Sequence, residues 1–338
     1  MSAVAKRPAR LALATRIEAR VPWAWHRYRY AALAYGLLVV LLAVNVALSE
    51  RFFTEAVLVP LIAGAAPLVI LTIASTVPMI AGNGGIDISV GPLAGLVNVV
   101  LVVGLAGESS SPAVVLPVAL GMGLVSGAVI GFLVAYVRLA PIVVTLGAYL
   151  IYAALAQVIF ADRGGTAPEW LTHLGDKVGP VPGGFVSIAI VLAAWLVLSR
   201  TPFYRYLFAV GDGEVAAYTA GVPVALVRAA AYAIAGVFAA VAGLALTGLI
   251  AAADPKIGPT LTLTAIAGAA LGGTSLAGGR GGVLGALAGG ACVYLIQNAL
   301  SLMGIDSYWV TFSFGAILVL GIALNGLVTG GVKRRGIA

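Results

Sequence analysis

Long apolar stretches, separated by short segments of Gly, Pro and charged residues, run through the chain and predict membrane-crossing helices. About 20 apolar residues are needed to cross the hydrocarbon core of a bilayer. The composition, 62% hydrophobic and 9% charged, excludes a soluble domain of the usual kind. We therefore expect an all-α polytopic membrane protein with about ten transmembrane helices. The candidate spans are residues 30–48, 56–80, 93–106, 113–137, 142–160, 184–199, 229–251, 260–272, 283–303 and 308–330.

The basic residues are distributed unevenly between the segments that join these spans. Cytosolic segments of membrane proteins carry an excess of Lys and Arg. With the N-terminus inside, the cytosolic side receives all 19 basic residues except Arg51, Arg163, Lys177 and Lys256. Both termini are therefore predicted to be cytosolic. The predicted regions are a basic N-terminal tail at 1–29, a transmembrane domain at 30–331 with a cytosolic segment at 200–228, and a C-terminal tail at 332–338.

The tail at 1–29 is too long for a signal peptide, and no small-residue cleavage site follows the first apolar run. In a membrane protein the net charge of +7 does not indicate nucleic-acid binding and instead bears on which side of the membrane holds the positive charges.

Two of the candidate spans, 93–106 and 260–272, are short and are entered through Gly and Pro. Short, interrupted segments at corresponding positions of two halves indicate a transport site built on broken helices. Asp87 and Asp254 each begin the pattern D-x3-G-P, about half a chain apart. The pattern G-x3-G-x3-G-x4-Y occurs at 123–136 and again at 281–294. We predict an inverted repeat, with chance matches in Gly-rich membrane sequence as the alternative, and we interpret the glycine rows as helix-packing faces.

The segment AGNGGIDISVGP at 81–92 contains an acid, Asp87, where the chain is expected to lie at membrane depth or at a pore mouth. A carboxylate is expensive there unless the irregular backbone around it is buried in protein or lines a watery cavity. Asp87 is interpreted either as part of a gate or as a cap that accepts backbone N–H groups at the start of a half-helix. The two roles are compatible. Other intramembrane polar residues are candidate solute contacts or interhelical hydrogen-bond partners: Asn98, Gln157, Gln297 and Asn298.

The segment GDGEVAAYTAGVP, within 200–228, predicts a short helix outside the membrane. Asp212 is suited to cap it, Glu214 suits its positive first turn, and Gly221 followed by Pro223 ends it. Such a helix at Asp212 to Ala220 is expected to have a partner that packs on it. The alternative is a helix lying on lipid headgroups.

The remaining polar segments show no enzymatic pattern. No triad, paired carboxylate or metal cluster stands out, and no phosphate-binding loop G-x4-G-K-[ST] occurs. LAGGR at 276–280 is interpreted as a turn between two apolar spans. The outer loop at 161–184 is either a docking surface for an external partner or a solvated connection, and His173 within it is not a metal site. Cys292 is the single cysteine, so no disulfide is expected.

Several of these segments resemble the sugar-type ABC importer permeases, the branch that includes ribose, arabinose, xylose and galactofuranose systems. AGNGGIDISVG at 81–91 is similar to that family's GGIDLSVG segment. The stretch at 264–289 resembles its second hallmark, APIVVTLG at 140–147 resembles its P-x-I-V-T-L-G segment, and AVGDGEVAAYTAGV at 209–222 is similar to its coupling segment. The resemblance covers about residues 50–330.

The resemblance implies that 30–331 is the transmembrane permease domain of an ABC importer for a sugar or sugar-like solute, in the cell inner membrane. It implies a homodimer, or a heterodimer with a related permease, together with cytosolic ATPase subunits and an extracytoplasmic solute-binding protein. The chain itself then binds no cofactor, because ATP is bound by the partner subunits, and is not an enzyme. On this view the gate and translocation path comprise Gly84, Gly85, Asp87, Ser89, Gly91, Asn98, Gln297 and Asn298. The residues expected to couple to the ATPase are Asp212, Glu214, Ala216, Ala217 and Gly221.

The sequence departs from the family pattern at two places. In the coupling segment, Gly213 or Glu214 stands where the family usually has Asn, and Asp212 is added, so different polar contacts with the ATPase are expected. Asn83 and Ile88 replace residues that vary in the family, which leaves the solute open.

The sequence leaves two other classes of function open. An ion-gradient-driven secondary transporter also uses inverted repeats and broken helices, and Asp87 would be its titrating acid. A membrane enzyme or scaffold has no supporting feature in the sequence.

Overall fold

In the computed structural model, the chain is described over residues 23–105, 110–161 and 164–306, and at 308, 309, 312, 315 and 316, with 23–30 given by their backbone. The C-terminal tail predicted at 332–338 lies outside the described residues. So do most of the tail predicted at 1–29 and most of the span predicted at 308–330.

Where it is described, the chain is mainly helical, as the apolar stretches predicted. One small antiparallel hairpin, β1 (Lys177–Val178) with β2 (Val181–Pro182), precedes the helix that begins at Gly183. The third helix continues into a π-helical turn, Val100–Gly104. The helices are α1 (Trp23–Leu48), α2 (Glu55–Ile80), α3 (Val90–Val99), α4 (Pro112–Ala135), α5 (Pro141–Phe160), α6 (Glu169–Thr172), α7 (Gly183–Ser199), α8 (Pro202–Asp212), α9 (Glu214–Thr219), α10 (Val224–Ile250), α11 (Ile257–Leu271) and α12 (Val283–Leu302).

Length and apolar composition identify the helices that are able to cross a membrane. In the described residues six qualify, namely α1, α2, α4, α5, α10 and α12. The pair α7 and α8, bent by 83°, makes a seventh if it counts as one span. The helices α3 and α11 are apolar but short, as the sequence predicted for 93–106 and 260–272. The chain is therefore an all-α polytopic membrane protein.

The helices α2 and α10 form the centre of the bundle. Every residue from Ala66 to Ile80 of α2 is buried, and so is every residue from Phe238 to Gly248 of α10. Around them, α5 exposes large apolar side chains such as Leu150 and Val158. An apolar outer surface of this kind suits lipid, which is as apolar as the side chains themselves.

Glycines allow the central helices to approach closely, which confirms the packing interpretation of the glycine rows. A Cβ atom at Gly123 would lie 2.4 Å from the Gly236 oxygen of α10. One at Gly289 of α12 would lie 2.0 Å from the Gly268 oxygen of α11. The second row is helical only in part, because Gly281 precedes the start of α12 at Val283.

Two helix starts differ from the predicted spans by five residues or more. Helix α1 begins at Trp23 rather than at 30. Helix α10 begins at Val224 rather than at 229, directly after Pro223, and therefore includes Arg228. The predicted spans place Arg228 in the cytosolic segment at 200–228, because the residue is charged. Instead, its side chain is buried and paired with an acid on the preceding helix.

Candidate functional site

The connection from α2 to α3, residues 81–89, is here called the first break. Its backbone turns through three consecutive left-handed residues, Gly82, Asn83 and Gly84, with φ of 74°, 56° and 66°. Asn is among the side chains that tolerate this conformation, and glycine adopts it freely. At Gly85 a Cβ atom would lie 2.2 Å from the Pro78 oxygen. The Gly-rich sequence is therefore needed to return the chain towards the bundle and begin α3.

Asp87 lies near the end of the first break, three residues before α3 begins at Val90. Its Oδ1 atom accepts hydrogen bonds from the Ser89 backbone N–H (2.9 Å) and from the Ser89 hydroxyl (2.6 Å). Ser89 is the residue that precedes α3. Asp87 is only 2% exposed. A cap bond of the kind anticipated for Asp87 is therefore present, and the gate role stays a prediction.

The second break, residues 251–256, repeats this geometry before α11. The Asp254 Oδ1 atom accepts a hydrogen bond from the Lys256 backbone N–H (2.8 Å), and Lys256 precedes α11 just as Ser89 precedes α3. The glycines of the two D-x3-G-P motifs, Gly91 and Gly258, face each other. A Cβ atom on either one would lie 2.5 Å from the oxygen of the other. The repeated motif thus folds into the same local turn twice, and its two copies meet where α3 and α11 pack.

Asn98 of α3 ties that helix to α10 and to the second break through three hydrogen bonds. Its Nδ2 atom donates to the Thr247 hydroxyl (3.1 Å) and to the Ala252 oxygen (2.9 Å). Its Oδ1 atom accepts from the Asp254 backbone N–H (3.0 Å). The side chain is fully buried. These bonds favour the packing role for Asn98, and contact with a solute stays a prediction.

Replacing Asn98 by leucine is expected to destabilise the protein by about 1–3 kcal/mol for each buried group left without a partner. The second break loses the bonds that hold Ala252 and Asp254. Thermal unfolding of the purified protein in detergent measures the effect. Gln157→Leu is the matched control, because Gln157 lies exposed on α5. Equal melting temperatures for the two variants would contradict a fastening role for Asn98.

The polar candidates on α12 lie elsewhere in the bundle. Asn298 donates from Nδ2 to the Asn45 Oδ1 atom of α1 (2.8 Å), and Asn45 in turn donates to the Leu295 oxygen (3.1 Å). Gln297 is half-buried. The structure therefore gives Asn298 an interhelical bond between α1 and α12 and does not bring it to Asn98.

The segment at 200–228 contains two short helices rather than the single predicted helix from Asp212 to Ala220. Asp212 is the last residue of α8, and Gly213, with an extended backbone (φ −169°), precedes α9. The cap predicted for Asp212 is therefore wrong, because the extended residue that starts α9 comes one position later. Glu214 occupies the first turn of α9, as predicted.

The C-terminal end of α9 has the predicted glycine stop. Gly221 has φ of 81°, its N–H donates to the Tyr218 oxygen, and the Val222 N–H donates to the Ala217 oxygen. This is the Schellman arrangement, which a left-handed glycine permits. Of the predicted coupling residues, Ala216 is exposed and Ala217 faces inward.

The outward face of α9 is apolar and uncovered. Val215 is 77% exposed and Tyr218 is 73% exposed. A six-residue helix that presents such side chains gains nothing from water, so the face favours a partner that packs on it.

Glu214 is held by Arg228 of α10, an interaction that sequence reasoning missed. The Arg228 guanidinium donates from Nη2 to Oε2 (3.0 Å) and from Nη1 to Oε1 (3.4 Å). These hydrogen bonds hold the pKa of the Glu214 carboxyl below its usual range, and the charges of Arg228 and Arg138 act in the same direction. Glu214 is therefore ionised at neutral pH. A basic residue fourteen positions after an acid gives no local sequence signal of pairing.

Four glycines bring the coupling segment against both the first break and the LAGGR loop, and we call them the glycine junction: Gly82, Gly211, Gly278 and Gly279. A Cβ atom at Gly211 of α8 would lie 1.8 Å from the Ile80 oxygen and 2.5 Å from the Gly279 nitrogen. That nitrogen donates a hydrogen bond to the Ile80 oxygen (3.0 Å). The predicted gate segment and the predicted coupling segment are thus in direct backbone contact. LAGGR is a turn, as predicted, and is one side of this contact.

At the opposite end of α10, residues 164–182 pack on the second break. The Ala167 N–H donates to the Ala251 oxygen (2.9 Å), and Thr166 bridges to Ala252. Lys177 forms an ion pair with Glu55 at the start of α2. The predicted outer loop is therefore a folded cover over this end of the bundle, and docking of a partner on it stays a prediction.

In the described part of the chain, no group of three or more His, Cys, Asp or Glu side chains is arranged to hold a metal ion. What the site does provide is two short helices, α3 and α11, that pack against each other after the two breaks, with the exposed helix α9 following directly after α8, which contacts the first break.

Comparison with known proteins places this arrangement among transport proteins. Residues 57–322 match the family model described as branched-chain amino acid transport system / permease component. The fructose import permease protein FrcC of Rhizobium meliloti is 32% identical over 86% of this chain and 83% of its own length. The ribose import permease protein RbsC of Escherichia coli K12 is 30% identical over 85% and 91%. The autoinducer 2 import system permease protein LsrC of Klebsiella pneumoniae is 33% identical over 89% and 88%. No solved structure is significantly similar to the chain.

Proposed function

The chain belongs to the family of permease components described for branched-chain amino acid transport systems, and from this premise we propose that it is the permease subunit of an ABC importer for a sugar-like solute. The observation that carries this function is the match over residues 57–322, which includes both breaks and α9. The chain is a multi-pass protein of the inner membrane. Its family is a transport component rather than a catalytic subunit.

The solute class follows from the relatives rather than from the family description. That description names branched-chain amino acids, but FrcC and RbsC, each similar over more than four fifths of this chain, are named for import of fructose and ribose. We propose a small polyhydroxylated solute of that kind.

The proposed topology has ten membrane helices related by an inverted repeat, with both termini in the cytosol. The identical turns at Asp87 and Asp254, and the contact between Gly91 and Gly258, support the repeat. The charge distribution supports the orientation, because cytosolic segments are enriched in Lys and Arg. The segments beside α9 carry Arg138, Arg200, Arg205 and Arg280.

The proposed partners follow from this orientation. Cytosolic ATPase subunits, which bind the ATP, dock on the exposed face of α9. An extracytoplasmic solute-binding protein meets the other end, and a second permease, identical or related, completes the path through the lipid bilayer. Closure of the ATPases moves α9 and rocks the halves of the bundle about the two breaks. Gly84, Gly85, Asp87, Ser89 and Gly91 would shape the gate.

Uptake by reconstituted vesicles tests the function. The chain is purified with the ATPase and binding protein that accompany it, and uptake of radiolabelled ribose and fructose is followed. Uptake is expected to require ATP inside, next to the ATPase, and to require the binding protein outside. Uptake by the chain alone that is independent of ATP and is abolished by an ionophore would contradict the proposal and support an ion-gradient-driven secondary transporter.

A further inference from the structure

Arg228 is a buried cation at the start of a membrane-spanning helix. It is the fifth residue of α10 and is 6% exposed. A buried charge is costly unless it is paired and hydrogen-bonded. In the described residues, its carboxylate partner is Glu214 of α9, whose side chain remains 53% exposed. The buried guanidinium of Arg228 on α10 and the accessible carboxylate of Glu214 on α9 therefore link the two helices.

The pair holds α9 in a fixed orientation on α10. Both guanidinium Nη atoms engage the two carboxylate oxygens of Glu214, and such a fork fixes direction as well as distance. The buried residue of α9 is Ala217, a small side chain that sets no direction. Without the fork, α9 would be held by its flanking turns and by one small apolar contact.

Helix α10 carries this orientation across the bundle to both breaks. Near its far end, Thr247 accepts a hydrogen bond from Asn98 of α3. Gly243 packs against Ala94 and Val97 of the same helix. A displacement of α9 that is transmitted to Arg228 therefore reaches α3, which begins at the first break, and the Asn98 bonds to the second break.

We propose that Glu214 and Arg228 form a clamp that transmits the motion of α9 to the membrane helices, and that Arg228 is a positioning residue for transport. This inference rests on the proposed function, because it presupposes an ATPase that moves α9. It changes the role expected for Glu214, whose carboxylate contacts its own chain and orients α9 instead of forming the main contact with the ATPase.

Four variants of the clamp, in the full complex of chain, ATPase and binding protein, test the proposal: E214Q, R228M, E214R and the exchanged pair E214R/R228E. Three quantities are measured: copurification of the ATPase, ATP hydrolysis, and solute transported per ATP hydrolysed. E214Q and R228M are each expected to lower solute transported per ATP about tenfold while the complex still assembles and hydrolyses ATP. The exchanged pair is expected to recover part of this loss relative to E214R alone.

Glu55→Gln is the matched control, since it breaks the other ion pair, with Lys177 at the opposite end of the bundle. It is expected to leave solute transported per ATP unchanged. Should R228M fail to insert, the comparison of E214R with E214R/R228E still decides, because recovery requires that the two positions interact.

Two results would overturn the clamp. One is loss of ATPase binding in E214Q together with normal coupling in R228M, which would make Glu214 a direct ATPase contact. The other is normal coupling in both variants. In either case ATP-dependent uptake by the unaltered complex would leave the proposed function standing. Absence of uptake by the unaltered complex would instead count against the function itself.

Discussion

Leucine at Gly127 is expected to prevent α4 and α10 from packing, and with it the folding of the bundle. A Cβ atom at this position would lie 2.2 Å from the Tyr232 oxygen and 2.7 Å from the Ala233 Cα atom. Both are backbone atoms of α10, so no side-chain rotation relieves the clash. Overpacking a tight core site costs about 1–3 kcal/mol, and a full leucine side chain between two backbones is expected to exceed that range. The measurement is the yield of monodisperse protein and its melting temperature in detergent.

Gly121, on the same helix, provides the control for this prediction. Nothing lies within 4 Å of a Cβ atom built there, so leucine is expected to be accommodated. Alanine extends the comparison, because it favours a helix over glycine by about 1 kcal/mol. G121A should then melt at or slightly above the unaltered protein, whereas G127A should melt below it. A G127L protein as stable as G121L would show that α4 and α10 do not make this close contact.

Features that depend on neighbouring residues could be predicted from the sequence. The turns at Asp87 and Asp254 are formed within three residues of each acid, so the repeated D-x3-G-P motif sufficed to locate them. The stop at Gly221 is similarly local, because only a left-handed residue completes the bonds at the end of α9. Helix existence followed from apolar length alone.

Features that depend on distant residues could not be predicted. Asp212 is an acceptable cap by composition, but the extended backbone at Gly213 moved the start of α9 by one position. Arg228 looked like a cytosolic charge, since no local pattern shows that Glu214 lies against it. The same holds for Asn98 and Asn298, whose partners lie on other helices. These side chains were identified as candidates because they are polar and lie within apolar spans. That pattern does not show whether each one holds two helices together or contacts the solute.

Valine at Gly211 is expected to uncouple ATP hydrolysis from transport by opening the glycine junction. A Cβ atom there would lie 1.8 Å from the Ile80 oxygen and would intrude on the hydrogen bond between Ile80 and Gly279. Helix α8 must then move away from the first break and from the LAGGR loop. The exposed face of α9, formed by Val215 and Tyr218, is left intact. The ATPase is therefore expected to bind and hydrolyse ATP while uptake falls about a hundredfold, near the upper end of measured coupling between sites.

Valine at Gly213 is the control for this prediction. It distinguishes loss of the glycine junction from a general effect of any substitution in the coupling segment. Gly213 lies two residues after Gly211, its φ of −169° is accessible to any residue, and the nearest atom to its Cβ is 3.7 Å away on Ala216. Valine at Gly213 is therefore expected to leave uptake per ATP within about twofold of the unaltered complex, the scale of a surface substitution of ±0.5 kcal/mol. Equal uptake by G211V and G213V would mean that motion reaches the first break without the glycine junction. Transmission would then run through Arg228 and α10 alone, whereas losses in both G211V and R228M would show that the glycine junction and the clamp each contribute to carrying the motion of α9 into the membrane.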